Sequence, residues 1–293
     1  MIKILITGAG GQLGQEFASL AIDYPQIEFY FFTRHDLDVL NEKALSIIAD
    51  EIDPDYVINC AAYTAVDKAE VEKGKNYNIN TQACKALRNV FENRKTRIIH
   101  YSTDYVYHTC FGQPLSEDCP TEPQSEYAKS KLDGENILRN SDIPVLIIRT
   151  SWVYSSFGSN FVKTMLRLAE TKDEINVVYD QIGTPTFAND LAVATLDIIK
   201  KTHSSGEGLI LFNNVYNYSN EGVTSWYDFA TFILKMNGKN TKVIPITSSQ
   251  YPTLAKRPAW SLLSKDKIKN NFSLVIPHWH DALERCLKKI QTT

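Results

Sequence analysis

A doubly wound α/β architecture, an open parallel sheet with helices on both faces, is the expectation for the first half of this 293-residue chain. Three observations carry it. Lys3 to Thr7 reads as a buried strand that breaks into a glycine-rich turn and then a helix. Four further strand-length runs alternate with helical stripes as far as Thr150. Between the fourth and fifth runs lies a helix carrying Tyr127 and Lys131, with Ser102-Thr103-Asp104 roughly two dozen residues upstream. Parallel strands need a crossover connection rather than a tight hairpin, so alternation of this kind signals βαβ units.

The first strand is apolar on both faces, as a strand covered by helices on each side must be. In the turn that follows, Gly8-Ala9-Gly10-Gly11-Gln12-Leu13-Gly14, the residues Gly8, Gly11 and Gly14 keep a G-x-x-G-x-x-G spacing. Coming after a strand and before a helix through Phe17, Leu20 and Ala21, it fits a dinucleotide-binding turn. There the backbone must approach a pyrophosphate seated on the helix N-terminus. The second strand, Glu28 to Phe32, should end beside the adenosine ribose, where an acidic residue would favour NADH. This chain has Thr33-Arg34 instead, with Asp36 and Asp38 later. Arg34 facing a 2′-phosphate points to NADPH; a solvated loop arginine, with NADH in use, is the alternative.

Leu45, Ile48, Ala49 and Ile52 mark a helix, and Tyr56 to Asn59 a strand ending in the small-residue loop Cys60-Ala61-Ala62. Small side chains leave room for a cofactor, and they also suit a tightly packed turn. A helix around Asn80 to Glu92 leads to the fourth strand, Arg97 to Tyr101. Ser102-Thr103-Asp104 then lies at the carboxyl edge, where open α/β sheets bind ligands, although the same residues suit an ordinary turn. Tyr105 to Gln124, with Pro114, Pro120 and Pro123, reads as a loop walling that edge. Ser125 is placed to cap a helix running to about Arg139, and Pro144 to Arg149 is the fifth strand.

On the Ser125-capped helix Tyr127 and Lys131 are four residues apart and share a face. A phenol beside an ammonium is an acid–base pair, because a nearby positive charge favours the phenolate. In a chain with 15 tyrosines the Tyr-x3-Lys spacing arises about once by chance, so its weight comes from the glycine turn and Thr103 in the same frame.

Composition bounds the rest. A hydrophobic content of 43%, a charged content of 22% and a net charge of -3 exclude a basic nucleic-acid-binding surface, and no apolar run reaches the length of a membrane span. Met1 leads directly into strand residues, so no signal peptide is expected. The five cysteines, Cys60, Cys84, Cys110, Cys119 and Cys286, are odd in number and lack metal-ligand spacing. A reduced, cytoplasmic setting is expected from them.

Several stretches go beyond pattern: Asn59-Cys60-Ala61-Ala62-Tyr63-Thr64-Ala65-Val66-Asp67-Lys68-Ala69-Glu70, Tyr101-Ser102-Thr103-Asp104-Tyr105-Val106-Tyr107 and Tyr127-Ala128-Lys129-Ser130-Lys131. So do Arg149-Thr150-Ser151-Trp152-Val153-Tyr154, Asn160-Phe161, Asp180-Gln181-Ile182-Gly183-Thr184-Pro185-Thr186 and Arg257-Pro258. In these the whole chain resembles the extended short-chain dehydrogenase/reductase superfamily and, within it, the dTDP-4-dehydrorhamnose reductases. The resemblance implies a Rossmann domain and NAD(P)H-dependent reduction of the C4 ketone of dTDP-4-dehydro-6-deoxy-L-mannose, giving dTDP-L-rhamnose for polysaccharide. By it, Tyr127 protonates the developing alkoxide, Lys131 lowers the tyrosine's pKa and holds the nicotinamide ribose, and Thr103 hydrogen-bonds the ketone oxygen. Thr103, Asp104 and Trp152 match sugar-contacting positions. Gly10, Gly11, Gln12, Asp38, Val39, Ala62, Tyr63 and Thr64 match cofactor contacts; Gly8, Leu13, Gly14, Arg34 and Ala61 join them from the turn and strand-end reading.

Beyond Thr150 the alternation loosens into helical stripes at Phe161–Ala169, Leu191–Ile199, Trp226–Leu234 and Trp279–Leu287. The expected division is a dinucleotide-binding domain over 1–150 with a return around 186–215. Residues 151–185 and 216–293 form a smaller substrate domain. Lys163, Arg167, Lys256 and Arg257 are candidate partners for the substrate diphosphate, since an acidic chain must build positive charge locally. Some relatives dimerise through a carboxylate-held metal; here the corresponding position reads Asn189, beside Asp190, so no metal is expected, and a monomer or a homodimer fits. Two alternatives remain: another nucleotide-sugar reductase or epimerase on the same frame, and a noncatalytic cofactor-binding regulatory subunit. Asp104-Tyr105 lacks the Asp-Glu pair of a dehydratase, and an intact Thr103, Tyr127 and Lys131 disfavour the subunit.

Overall fold

The computed structural model describes the chain apart from residues 109–110, 205–207 and 293, so Cys110 lies outside the described residues. A six-stranded parallel sheet forms the centre. Its strands are β1 (Ile2–Thr7), β2 (Ile27–Phe32), β3 (Tyr56–Asn59), β4 (Arg97–Thr103), β5 (Val145–Thr150) and a late strand, Asn214–Tyr218. The order across the sheet is Asn214–Tyr218, β5, β4, β3, β1, β2. The five strands expected from the sequence are present, each within about two residues of its expected ends. The late strand was not legible, because Asn-Val-Tyr-Asn-Tyr offers no apolar run; Asn217 is fully buried there, accepting from Tyr107 Oη and donating to the Leu115 carbonyl.

The strand order reverses between β1 and β3, and ligands bind at the carboxyl ends of the strands flanking such a switch. Register brings those ends level: Thr7 lies opposite both Phe32 and Asn59, and Thr103 opposite Thr150. Alternation along the strands supplies two cores. Ile4, Ile6, Ile58, Ile99 and Ile148 face Phe17 and the Leu191–Ile199 stripe. Leu5, Val57, Ile98 and Ile147 face Leu45, Leu87 and Leu138. Buried on both sides, the strands need continuous apolar sequence, which is why they could be read.

A third core unites Tyr154, Met165, Val177, Phe187, Phe229, Ile233, Trp279 and Leu283. It carries the helices Phe161–Leu168, Trp226–Met236 and Trp279–Thr292 and a parallel strand pair, Glu174–Val178 with Lys242–Ile246. The helix Asp266–Phe272 was not expected, since only Ile268 and Phe272 are apolar within it. The Tyr105–Gln124 wall is tied to the C-terminal half among its described residues: Leu115 pairs backbone with Leu262 and Ser264, and packs with Val106, Tyr107 and Leu263. Among the described residues, no helix is long and apolar enough to cross a membrane.

Candidate active site

The turn after β1 owes its shape to two glycines. Gly8 has φ +68°, and a Cβ there would lie 2.5 Å from the Ala61 backbone nitrogen; at Gly14 a Cβ would lie 2.5 Å from Ala9 Cα. Only residues without a side chain let this turn close against the β3 loop and the helix Gln12–Leu20. That helix starts at Gly11 with no side chain capping its amides and no acidic residue in its first turn, so its N-terminus is open to an anion.

In front of the turn lies a cleft of about 560 Å³. Gly10, Gly11, Gln12, Leu13, Ala62 and Thr64 line it together with Thr103, Asp104, Tyr127, Lys131 and Trp152. Other anticipated residues do not line it. Gly8 and Gly14 shape the turn from behind. Ala61 is half-buried in the loop beyond β3, and Val39 is buried in the second core. Tyr63 is held by two backbone bonds with Asn80 and donates its hydroxyl to Glu72 at 2.9 Å. Arg34 and Asp38 are exposed beyond β2; Asp38 accepts from the Leu40 amide, and Asp36 accepts from the Thr33 amide and hydroxyl. No hydrogen bond or ion pair engages Arg34 among the described residues.

The catalytic candidates converge because β4 and one helix meet at the cleft. Ser125 Oγ accepts from the Ala128 amide and starts the helix Glu126–Arg139, which carries Tyr127 and Lys131. Tyr127 is almost fully buried, its ring edge-on to Tyr105 at 5.7 Å between centroids. Burial pushes its phenol up to about 12, against hydrogen bonding to Thr103. Lys131 Nζ donates to the Tyr101 carbonyl at 2.6 Å, and burial lowers its pKa. The expected lowering of the phenol by the ammonium is therefore not what this arrangement holds: desolvation dominates, and the ammonium is turned to a backbone carbonyl. Thr103 Oγ1 donates to Asp104 Oδ1 at 3.1 Å. Among the described residues, Asp104 Oδ2 and Ser102 Oγ are buried without a well-formed hydrogen bond, Ser261 lies beside the Asp104 carboxyl, and burial pushes that carboxyl up to about 7. Under-bonded polar atoms of this kind in a cleft await a ligand.

Trp152 adopts φ +49°, a strained conformation for a bulky residue, and stacks on Trp226 with centroids 3.7 Å apart. Trp226 lines the cleft from a helix 74 residues later in the chain, with no local motif to announce it. Cys60, from the small-residue loop after β3, lines the cleft, and Asn59, Thr150 and the Gly158–Asn160 turn are further lining residues that motif reading did not assign to the site. A second cavity of about 840 Å³ shares Trp226 and Arg257 with the first and is walled by Phe161, Met165, Val177 and Gln181. Of the four candidate diphosphate cations, only Arg257 reaches either cavity, where it pairs with Asp67 at 2.7 Å. Lys163 donates to the Ser156 and Gly158 carbonyls, while Arg167 and Lys256 are exposed. Asn189 donates to Glu16 and Asp190 pairs with Arg285, and among the described residues no His, Cys, Asp and Glu cluster could hold a metal.

The sequence profile of the RmlD substrate binding domain family matches residues 2–292. The chain is 39% identical to the spore coat polysaccharide biosynthesis protein SpsK of Bacillus subtilis (strain 168), over 99% of this chain and 98% of that protein. It is 38% identical to a dTDP-4-dehydrorhamnose reductase of Aggregatibacter actinomycetemcomitans, over 97% and 98%. The crystal structure of dTDP-4-dehydrorhamnose reductase from Bacillus anthracis str. Ames in complex with NADP superposes with a TM-score of 0.91 at 33% identity, covering 99% of this chain and all of that one. The chain belongs to the RmlD substrate binding domain family, the family of the dTDP-4-dehydrorhamnose reductases.

Proposed function

We propose that this protein is an oxidoreductase that uses NADPH to reduce the C4 ketone of dTDP-4-dehydro-6-deoxy-L-mannose, giving dTDP-L-rhamnose. The observation that carries the reading is the convergence of Thr103, Tyr127 and Lys131 on the cleft in front of the glycine turn. The relatives named above, matched over nearly their full length, support the substrate.

The residues present fit the dinucleotide. The cradle at Gly8 and Gly14, which a Cβ would fill, and the uncapped helix N-terminus behind it suit the pyrophosphate. Gly10, Gly11, Gln12 and Leu13 would hold it there with Ala62 and Thr64 beside it in the cleft, Ala61 and Tyr63 would support that flank from outside the cleft, and Arg34, Asp38 and Val39, beyond β2, would mark the adenosine end. When bound, the reduced nicotinamide supplies a hydride to C4. Tyr127 is held protonated by burial, the state required of a general acid, and gives its proton to the oxygen as the carbonyl is reduced. Thr103 donates to the same oxygen and stabilises the charge developing on it. Asp104 Oδ2 and Ser102 Oγ, without a well-formed hydrogen bond among the described residues, are available to sugar hydroxyls, and Trp152 stacked on Trp226 offers the 6-deoxy face a flat apolar wall. The nucleotide extends toward the larger cavity, with Arg257 at the junction.

Residues 1–150 with the return around 186–215 are the cofactor domain in this reading, and 151–185 with 216–293 the substrate domain. The third core lies almost wholly in the latter, which supports the division. A cytoplasmic setting is part of the reading, supported by Cys60, Cys84 and Cys286 being unbridged thiols. The test is incubation of the purified protein with NADPH and the 4-keto sugar nucleotide, following NADPH loss and the sugar product. NADPH consumption with formation of dTDP-L-rhamnose is expected; no consumption with a protein that binds NADPH would overturn the reading in favour of a regulatory subunit.

A further inference from the structure

Among the described residues, three cations line the two cavities: Lys131 in the cleft, Lys172 in the larger cavity and Arg257 in both. Lys131 is committed to the Tyr101 carbonyl, and Lys172 is exposed. A sugar nucleotide with its sugar in the cleft and its nucleoside in the larger cavity carries its diphosphate across the junction, where Arg257 stands.

Arg257 is held from the far half of the chain. Its Nη2 donates to Asp67 Oδ2 at 2.7 Å, while Asp67 Oδ1 accepts from the Ala255 amide at 3.1 Å. Asp67 sits on the one-turn helix Val66–Ala69 and itself lines neither cavity, whereas Val66 beside it lines the cleft. Other guanidiniums of this chain are used up by their partners. Arg285 gives two nitrogens to the two oxygens of Asp190, and Arg149 gives two to Glu135 and the third to Tyr107. Asp67 takes one nitrogen of Arg257, because its second oxygen is occupied by the Ala255 amide. Arg257 Nε is buried with no hydrogen-bond partner among the described residues. A buried donor left open is costly unless an acceptor arrives.

We propose that Asp67 is a positioning residue for the substrate diphosphate. It fixes Arg257 at the junction of the two cavities and leaves the Nε edge of the guanidinium to the phosphate oxygens. The proposal rests on the reductase reading for the identity of the ligand. A planar guanidinium meets a phosphate through paired donors only when its plane is set, and a free arginine must give up its rotamer freedom to do so. Asp67 removes that freedom before the ligand arrives. The carboxylate also repels a diphosphate. Its side chain is 39% exposed, so solvent screens the repulsion while the orientation persists. So exposed a pair adds little to fold stability, and its consequence is read in binding.

Calorimetric titration with dTDP, thymidine and NADPH tests the proposal. Asp67→Asn keeps the side chain's shape and an oxygen for the Ala255 amide but removes the charge that holds Nη2. Its dissociation constant for dTDP should rise about three- to tenfold, as expected for immobilising one long side chain anew. Thymidine, which has no diphosphate, and NADPH should bind as before. Arg257→Ala should also weaken dTDP, and adding Asp67→Asn to it should change nothing further, because Asp67 acts through Arg257. In turnover, KM for the 4-keto sugar nucleotide should rise in Asp67→Asn with kcat unmoved. Tighter dTDP binding in Asp67→Asn would show that the carboxylate merely neutralises the arginine, and equal losses for dTDP, thymidine and NADPH would make the pair a structural tie. Either result overturns the proposal, as does unchanged dTDP affinity in Asp67→Asn or in Arg257→Ala, or a native protein that binds no dTDP. If the native protein binds dTDP yet leaves the 4-keto sugar nucleotide unreduced, the reductase reading falls and the binding comparisons still decide the role of Asp67.

Discussion

Tyr127 shows how burial and chemistry interact at one side chain. A phenol held almost out of solvent resists ionisation, and resistance is an asset in a residue that must give up a proton only as charge builds on the substrate. Replacing it with Phe keeps the packing against Tyr105 and removes the proton. Turnover of Tyr127→Phe should fall by roughly 10²–10⁴-fold with NADPH binding retained; near-native turnover would take Tyr127 out of the mechanism. Arg34 poses the question of cofactor choice. With Asp36 held by Thr33 and Asp38 by the Leu40 amide, the exposed guanidinium is the charge beyond β2 not tied down by a neighbour. Pairing with a 2′-phosphate should favour NADPH over NADH by roughly 10- to 100-fold, less in so exposed a place. The kcat/KM ratio for the two cofactors should collapse toward unity in Arg34→Ala, and an unmoved ratio would mark Arg34 as a solvated loop residue.

The helix Glu126–Arg139 is the element that delivers both catalytic side chains. Its start was legible, because a serine cap after a proline has a local physical cause, and Ser125 does accept from Ala128. Its seating was not. Gly134 lies where the helix crosses the π-helical turn Asn78–Gln82, and a Cβ there would run into the Asn80 carbonyl oxygen and meet Cys84 Sγ at 3.0 Å. Backbone cannot give way as a flexible side chain can. Gly134→Ala should therefore lower stability by about 1–3 kcal/mol in urea unfolding, despite the better helix propensity of alanine. A stabilised variant would mean that the two helices can separate freely. Because the same crossing brings Cys84 and Asn80 behind Lys131, turnover should fall along with stability.

Across the whole molecule, folding places an ionisable carboxyl where water is scarce. Asp104 goes from its ordinary value of 3.8 to about 7. The folded state then binds this proton more tightly than the unfolded chain does. The contribution to stability is complete below about pH 4 and is lost as pH rises through about 7. Asp104→Asn cannot ionise, so its stability relative to the native protein should climb between about pH 5 and pH 8, by on the order of 2–4 kcal/mol. Unfolding midpoints of the two proteins at both pH values measure it; a pH-independent difference would show that Asp104 does not titrate in this window. The surroundings of Asp104 come from distant parts of the chain, since Ser261, held by its backbone bond to Ile182, lies beside the carboxyl.

What could be read from the chain were features with local causes. Strands buried on both faces must be continuously apolar, a helix start needs its cap, and a turn beneath a pyrophosphate needs Gly8 and Gly14. From these followed the parallel sheet and the edge where Thr103, Tyr127 and Lys131 meet. The tertiary structure alone decided what depends on distance in sequence: the polar strand Asn214–Tyr218, the Trp226 wall, the Asp67–Arg257 pair, and a phenol raised where proximity to lysine suggested it would be lowered. The physical reason is that desolvation, register and stacking belong to the surroundings of a residue, and those surroundings come from segments far away in the chain, as with Asn217 and Leu115 or Arg257 and Asp67.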